Sequence, residues 1–479
     1  MRVENSKAYA WSTLNNFSKL LFSFIAPIIL ARLLGPEAFG IIAMAFVLVG
    51  LSQIFIDFGS TEAIVKSRFI TKKFLSSLFW FNLFICIFVF LILLMLTPLV
   101  SKFFQRDQLL IIIPMLSVSM FFQVASIVPT SLFRRNKDFR SITISDAISR
   151  FLSSVIAIIA ALYGAGVYAL VILSLSQSFI YLIIINYLST SNIGRYFSLK
   201  YIRLVLSFTA SLFYIKTINH IERQSDRLFI GPSYGDASLG IFSRGQAFQK
   251  ALQRFVNGSF NPVFFSVITR ENSNEFLQSA FKQSYQGFVL IMFPFFLFFY
   301  FLSNDLVLFL FGEDWSLMVE LLPFFSFLFL IRPFQKVNQE FIKAKGNIFF
   351  LVSCFTAFTP LLILLYFFMP EGLGITGYIF AYIFISILFL ITSTIYVSNL
   401  LAMKDYFVFK LLLTFIPRLI VMTLVSILVK SFLLIDGWYF LNLSIFGVAL
   451  LITMFVLQRI QAMEAQDKLE RLLLRSLRM

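Results

Sequence analysis

The chain has few charges for its size and almost none of the residues that do covalent or metal chemistry. Two cysteines and one histidine in 479 residues provide no ligand set for a zinc site and no disulfide framework. Cys86 and Cys354 fall inside apolar stretches and read as small core residues. There is no GxxxxGK[ST], HExxH or GxSxG pattern. A nucleotide-hydrolysing phosphate loop, a zincin helix and a nucleophile elbow therefore all lack their residues. Charged side chains make up only 13% of the chain, and no polar connection is long enough for a separate soluble domain.

What remains is apolar: 59% of the residues, including 65 Phe, more than a soluble domain can bury. Apolar segments of about 20 residues follow one another with short polar breaks, the pattern of helices that cross a bilayer. The expected fold class is an all-α polytopic membrane protein with about 14 transmembrane helices. The spans are 8–32, 37–65, 74–98, 109–132, 141–163, 166–189, 203–229, 240–267, 281–302, 316–338, 347–369, 373–398, 406–430 and 438–459. The first contains Asn15, Asn16 and Lys19, unlike the apolar core of a cleaved signal peptide. No lipidation motif is evident. After Arg459, the segment 461–479 reads as an amphipathic tail helix, with Leu469, Leu472, Leu473 and Leu477 on one face.

A net charge of +16 is compatible with nucleic-acid binding, but its distribution points elsewhere. With a cytoplasmic N-terminus, 25 of the 39 Lys and Arg fall in inner connections and termini. Five fall outside: Arg32, Lys102, Arg106, Arg227 and Lys430. This is the positive-inside asymmetry. It accounts for most of the excess charge without nucleic acid and places both termini in the cytoplasm. Residues near 35, 104, 233, 309, 371 and 434 are then expected outside.

Nine cations remain within the spans: Lys19, Arg150, Lys216, Arg223, Arg244, Lys250, Arg254, Arg332 and Arg418. A charge at the bilayer centre costs about 2.5–3.5 kcal/mol on insertion scales. Such groups persist where they line a wet path or meet a counter-charge, and so many of one sign imply a cavity for an anion. Two spans carry polar residues at three- and four-residue steps, so each has one polar face. Span seven shows Lys216, Asn219, His220, Arg223, Asp226 and Arg227, with Glu222 at the edge. Span eight shows Ser243, Gln246, Lys250, Gln253, Arg254, Asn257 and Asn261. Span one adds Ser12, Asn15, Asn16, Lys19 and Ser23.

Plainer readings compete. Asp146 and Arg150, spaced i,i+4, read as a packed ion pair. Glu222 and Asp226 can neutralise Arg223 and Arg227 in the same way. Arg244 and Arg332 lie near span ends and can snorkel. Arg418 has no assigned role. Asp57 reads as a counter-ion, with proton uptake as the alternative. His220 reads as a hydrogen-bonded cavity residue, with a proton relay as the alternative. The expected anion site is therefore Lys19, Lys216, Arg223, Lys250 and Arg254. Asn15, Asn16, Asp57, Asn219, His220, Glu222, Asp226, Gln246, Gln253 and Asn257 support it, and no metal is expected.

The chain also repeats about every 200 residues. Arg32-Leu33-Leu34-Gly35-Pro36 precedes Glu37-Ala38-Phe39-Gly40-Ile41, and Arg227-Leu228-Phe229-Ile230-Gly231-Pro232 precedes Asp236-Ala237-Ser238-Leu239-Gly240-Ile241. Gly164-Ala165-Gly166-Val167-Tyr168-Ala169 resembles Gly372-Leu373-Gly374-Ile375-Thr376-Gly377. The expected organisation is an N-terminal lobe over 1–200, a C-terminal lobe over 201–400, two further spans over 401–460 and the tail 461–479. Six spans per lobe give a parallel repeat about an axis along the membrane normal. Gly35-Pro36 and Gly231-Pro232 are the expected helix breaks.

Several of these runs resemble the polysaccharide transporter branch of the multidrug/oligosaccharidyl-lipid/polysaccharide exporter superfamily, the flippases for O-antigen, capsule and colanic-acid units. The likeness begins at Ile29-Leu30-Ala31-Arg32-Leu33-Leu34-Gly35-Pro36-Glu37-Ala38-Phe39-Gly40 and continues at Asp57-Phe58-Gly59 and Ser76-Ser77-Leu78-Phe79-Trp80-Phe81-Asn82-Leu83. It returns at Asp226-Arg227-Leu228-Phe229-Ile230-Gly231 and Leu239-Gly240-Ile241-Phe242. The resemblance implies a fourteen-helix, two-lobed, V-shaped transporter in the cytoplasmic (inner) membrane. It implies alternating access and an undecaprenyl-diphosphate-linked oligosaccharide as substrate, with membrane lipid and polysaccharide polymerase machinery as partners. No cofactor is implied; an H+ or Na+ gradient, a partner or the substrate's own concentration difference supplies the work.

Three rivals stand beside this reading. A multidrug exporter of the same fold favours acidic cavity residues, whereas cations dominate here. A membrane glycosyl polymerase or ligase places its catalytic groups in a large outer loop, which the short outer connections do not provide. A flippase for the lipid-linked peptidoglycan precursor shares the cationic cavity, and only the quoted motifs favour the polysaccharide branch.

Overall fold

The computed structural model describes the backbone of residues 2–56, 59–67, 70–189, 194–270, 273–403, 407–432 and 438–456. Within these it describes the side chains outside 2–24, 66, 204–216, 252, 254–270, 371 and 407–415. The expected tail helix over 461–479 lies outside the described residues.

The described elements are helical: α1 (Arg2–Ile56), α2 (Ser60–Lys66), α3 (Lys72–Phe104), α4 (Leu109–Arg135), α5 (Phe139–Leu162), α6 (Tyr168–Leu188) and α7 (Leu199–Arg270). They continue as α8 (Asn274–Phe301), α9 (Ser303–Leu310), α10 (Leu317–Ala344), α11 (Ile348–Phe367), α12 (Gly374–Leu400), α13 (Phe407–Phe432) and α14 (Tyr439–Val456). Among the described residues, ten helices are long and apolar enough to cross a membrane. The chain is thus an all-α membrane protein of about fourteen helices.

Two helices exceed any bilayer. The 55 residues of α1 and the 72 of α7 would run about 80 and 110 Å if straight, against a hydrocarbon core of about 30 Å. Each is folded into two arms at a glycine. Gly35 has φ 68° and ψ 176°, and Gly235 has φ 79° and ψ −177°. A side chain clashes in that region of backbone space, so only glycine occupies it readily. The second bend corrects the expectation from sequence. Gly231-Pro232 stays helical, and the chain turns at Gly235, 200 residues after Gly35. Gly231 serves packing instead. A Cβ there would stand 2.7 Å from the Phe104 ring, so the missing side chain lets that ring in.

The expected span over 37–65 is also interrupted. Its helix ends at Ile56, Gly59 turns with φ 86°, and α2 restarts at Ser60. The last carbonyls of a helix have no partner within it. Arg135 supplies one, donating to the carbonyls of Ile64, at 3.0 Å, and Ser67.

The chain divides into two compact units, residues 1–262 with 349–382, and residues 263–348 with 383–479. In the first, α5 packs on α1 and α6, and α4 packs on α3 and α6. Ser145, Ser149 and Ser153 form a fully buried stripe along α5, each hydroxyl bonded to a carbonyl one turn back. Small side chains let membrane helices approach where there is little hydrophobic drive between them. Ile56, Cys86, Val89, Leu93, Met120 and Val124 make one apolar cluster, which gives Cys86 the packing role read from sequence. Cys354 is likewise free and buried.

The connection from α6 to α7 is strapped to the start of α3. The Gly194 amide donates to Ser76 Oγ (2.8 Å), Trp80 Nε1 donates to the Gly194 carbonyl (3.1 Å), and the Ser198 amide donates to Ser77 Oγ (3.1 Å). Ser76, Ser77 and Trp80, part of one of the family-like runs, thereby hold this connection in place. At the other end of this unit Arg106 pairs with Asp236 at 2.5 Å, and Tyr234 meets Tyr378 with ring centres 6.1 Å apart. Segments near 104, 235 and 378 thus meet.

In the second unit, Phe296, Leu297, Leu302, Met422, Val429, Phe446 and Leu450 form the core. A buried polar knot ties three helices. Tyr285 Oη donates to Asn338 Oδ1 (2.8 Å), and Asn338 Nδ2 donates to Ser393 and Thr394 hydroxyls, both at 2.9 Å. Asn442 of α14 donates to Asp305 of α9 at 2.8 Å.

Candidate functional site

The expected site rests on the two arms of α7, the first arm of α1 and Asp57. Lys19, Asn15, Asn16, Asp57, Lys216, Arg254 and Asn257 fall outside the described side chains. The others can be placed.

Asp226 lies on the first arm of α7 and is 3% exposed. Gln246, on the second arm, donates from Nε2 to Asp226 Oδ2 at 2.7 Å. Lys250, one turn further on, donates from Nζ to Gln246 Oε1 at 2.6 Å. The other carboxylate oxygen of Asp226 accepts the Arg227 amide at 2.8 Å. A buried carboxylate and a cation are therefore joined through an amide across the bend. Buried charge is tolerated only when hydrogen-bonded and balanced, and this relay meets both conditions. Gln253 is buried on the same arm.

The rest of the stripe separates. Arg223 is exposed, and its Nε donates to the Asn219 carbonyl at 2.9 Å. Glu222 and Asn219 are half-buried. His220 faces the second arm of α1, where a Cβ at Gly50 would stand 2.8 Å from its Cε1. About two turns along the same antiparallel contact, Arg227 donates to the Ala43 carbonyl at 3.3 Å. The periodicity thus identified a polar face, but α7 splits it between two neighbours: His220 and Arg227 toward α1, Asp226 toward its own second arm.

Arg227, read from the sequence both as part of the span-seven face and as an outer charge, lies within α7, eight residues before the bend. One cation departs from expectation. Arg244 does not snorkel: its guanidinium lies over the Phe39 ring, 4.4 Å from the centroid, with Nε buried. Arg150 takes the plainer role read from sequence, pairing with Asp146 at 3.0 Å. No cluster of three metal-ligating residues occurs among the described residues.

Around Gly35 and Gly235 the two bends touch reciprocally. A Cβ at Gly40 would overlap the Asp236 carbonyl, and a Cβ at Gly240 would overlap the Pro36 carbonyl. Asp236 is the repeat equivalent of Pro36, as Gly240 is of Gly40. The sequence held the signal in the 200-residue spacing of Gly40 and Gly240, which a repeat alone does not identify as a contact.

Two glycine-bent helices with buried polar groups place the chain in a class of polytopic all-α membrane proteins. Comparison with solved structures agrees on the fold. A lipid II flippase MurJ in an inward closed conformation matches with TM-score 0.73 and 16% identity, over 96% of this chain and 100% of that one. An inward-facing MATE family multidrug resistance transporter matches with TM-score 0.59 and 16% identity, over 82% and 94%. A family profile described as "Polysaccharide biosynthesis protein" matches residues 29–320. The chain belongs to that family, within the multidrug/oligosaccharidyl-lipid/polysaccharide exporter superfamily.

Among curated relatives it is 25% identical to the succinoglycan biosynthesis transport protein ExoT of Rhizobium meliloti, over 64% of this chain and 62% of that one. It is 23% identical to the teichuronic acid biosynthesis protein TuaB of Bacillus subtilis, over 62% of each chain. It is 20% identical to the lipopolysaccharide biosynthesis protein WzxC of Escherichia coli, over 73% and 71%. The chain spans 62% of the length of ExoT and of TuaB.

Proposed function

We propose that the chain is a flippase for surface-polysaccharide precursors, carrying an undecaprenyl-diphosphate-linked oligosaccharide from the inner to the outer leaflet of the cytoplasmic membrane. The Asp226–Gln246–Lys250 relay is the observation that carries this reading, since it holds a cation on the inner face of a bent helix. The family and its relatives named for succinoglycan, teichuronic acid and lipopolysaccharide biosynthesis support a glycan-precursor cargo.

In this reading two six-helix lobes related by the 200-residue repeat rock about the glycine bends, with spans thirteen and fourteen outside the repeat. Both termini are cytoplasmic. Lys19, Lys216, Arg223, Lys250 and Arg254 face a shared cavity and bind the diphosphate, whose oxygens accept charge-assisted hydrogen bonds. Asn15, Asn16, Asp57, Asn219, His220, Glu222, Asp226, Gln246, Gln253 and Asn257 line it and meet the sugars. Asp226 holds Lys250 through Gln246 until the diphosphate competes for the ammonium. The prenyl tail stays in lipid.

The test is export. Lys250→Ala with Arg254→Ala should abolish surface polysaccharide in a complementation assay normalised to membrane expression. Lys250→Arg should retain part of it, and Asp at either position should be worst. Arg150→Ala should be milder, because Arg150 is held by Asp146. Normal export by the double mutant transfers the assignment to the multidrug-exporter reading.

A further inference from the structure

Arg227 and Arg244 are two cations of α7 that the relay does not use and that make no ion pair among the described residues. They come from opposite arms of α7, yet both lie against one face of α1. Arg227 donates from NH1 to the Ala43 carbonyl, and Arg244 covers the ring of Phe39. Phe39 and Ala43 are four residues apart on a helix, so the two contact points are about 6 Å apart along it. The Nε of each guanidinium is buried without a hydrogen-bond partner. Asp226, beside Arg227 in the chain, still gives it a counter-charge, whereas Arg244 faces the positive charge of Arg227. Both residues are half-buried, and a buried donor left unfilled on each, beside a like charge, is costly to keep. Planar guanidiniums at this spacing suit a group with two linked anionic centres.

What covers them is also specific. Arg244 lies one turn from Gly240, and Phe39 is next to Gly40. The reciprocal glycine contact therefore holds Phe39 and the Ala43 carbonyl over the pair. If the second arm of α1 leaves α7, both covers leave together.

We infer that Arg227 and Arg244 form an outer anion-binding pair, covered while Gly40 and Gly240 touch and uncovered when they part, which receives the diphosphate of the cargo after Lys250 and before release. The inference rests on the flippase reading for its cargo and not for the anion chemistry. It makes translocation a hand-over between two cationic stations on α7, the inner at Lys250 and the outer beside the bend.

Two measurements on the purified full chain test it. In the first the probe is inorganic pyrophosphate, and binding is followed by calorimetry. Gly240→Leu, which forces the covers off, should bind pyrophosphate at least about tenfold more tightly than the parent. Adding Arg227→Gln and Arg244→Gln should remove that gain; Gly40→Ala is the gentler opening if leucine prevents folding. In the second, vesicles carrying the parent or Arg227→Gln/Arg244→Gln translocate lipid-linked oligosaccharide. A packing role predicts that the Lys pair, which restores the charge but not the planar fork, does no better than the Gln pair. The inference predicts a turnover about tenfold lower, an unchanged half-saturating concentration and partial rescue by the Lys pair. Equal pyrophosphate affinity with and without the pair overturns the site. Pyrophosphate binding with unaltered turnover overturns its role in release and leaves a site for free anions. A parent chain that translocates nothing defeats the flippase reading instead, and the pyrophosphate arm still decides the site.

Discussion

Gly40 and Gly240 meet so closely that a Cβ on Gly240 would stand 2.9 Å from the Gly40 amide nitrogen and overlap the Pro36 carbonyl. In an ordinary helix interior, Gly→Ala gains roughly 0.5–1 kcal/mol. Here the overlap is with backbone, which cannot swing aside, so sterics win and the sign reverses. Gly240→Ala and Gly40→Ala should both part the arms. In a background with Cys86 and Cys354 replaced by Ala, Phe39→Cys reports the change. Phe39 is 3% exposed, so its thiol should be slow toward an impermeant reagent in the parent and at least about tenfold faster with Gly240→Ala. Equal rates would show that the contact seals nothing.

The relay across the bend separates charge from hydrogen bonding. Asp226→Ala leaves the Gln246 amide buried without its acceptor, which costs about 1–3 kcal/mol. Asp226→Asn keeps an oxygen acceptor for Gln246 and should cost less. The thermal unfolding midpoint in detergent should therefore fall in the order parent, Asn, Ala. The reverse order would mean that the carboxylate is not held as described.

The knot in the second unit makes a quantitative case about buried amides. Asn338 is fully buried and serves three partners. Interhelical hydrogen bonds in membranes average about 0.6 kcal/mol and reach about 1.7. Tyr285→Phe removes one donor and should cost about 0.6 kcal/mol. Asn338→Leu removes all three of the Asn338 bonds and should cost about 2 kcal/mol or more, because it also overfills the space. Tyr285 and Thr394 keep each other at 3.1 Å, and Ser393 keeps the Leu390 carbonyl. Unfolding by denaturant in detergent measures both, and equal costs would contradict the bonding pattern.

Topology follows from charge and is open to labelling. With Cys86 and Cys354 replaced, Phe309→Cys should react with an impermeant reagent in intact cells, and Asp138→Cys should not. Reaction at 138 alone would invert the map.

The all-helical membrane fold and the family were legible in the sequence because bilayer thickness and helix periodicity act locally. Asp146–Arg150 was legible for the same reason, its i,i+4 spacing being enough. The bend at Gly235 was not. Gly231-Pro232 offered the stronger local break, yet a membrane helix can absorb proline when its neighbours satisfy the freed carbonyl. The glycine chosen was the one whose partner 200 residues away could close a reciprocal contact. Moving the bend by four residues kept Arg227 inside the helix and brought Arg244 over Phe39. The split of the polar face, with His220 and Arg227 on one neighbour and Asp226 on another, depends on that bend, so no periodicity within α7 alone could give it.

The central claim is that a cation on α7 carries the diphosphate of a lipid-linked glycan across the membrane. It is tested most directly in vesicles holding the purified chain, with an undecaprenyl-diphosphate-linked oligosaccharide placed in one leaflet and its arrival in the other followed by a lectin or a glycosidase. The parent should move the lipid, and Lys250→Ala/Arg254→Ala should reduce the rate to that of empty vesicles while folding and inserting normally. Movement at the parental rate by the double mutant, or none by the parent, would contradict the account.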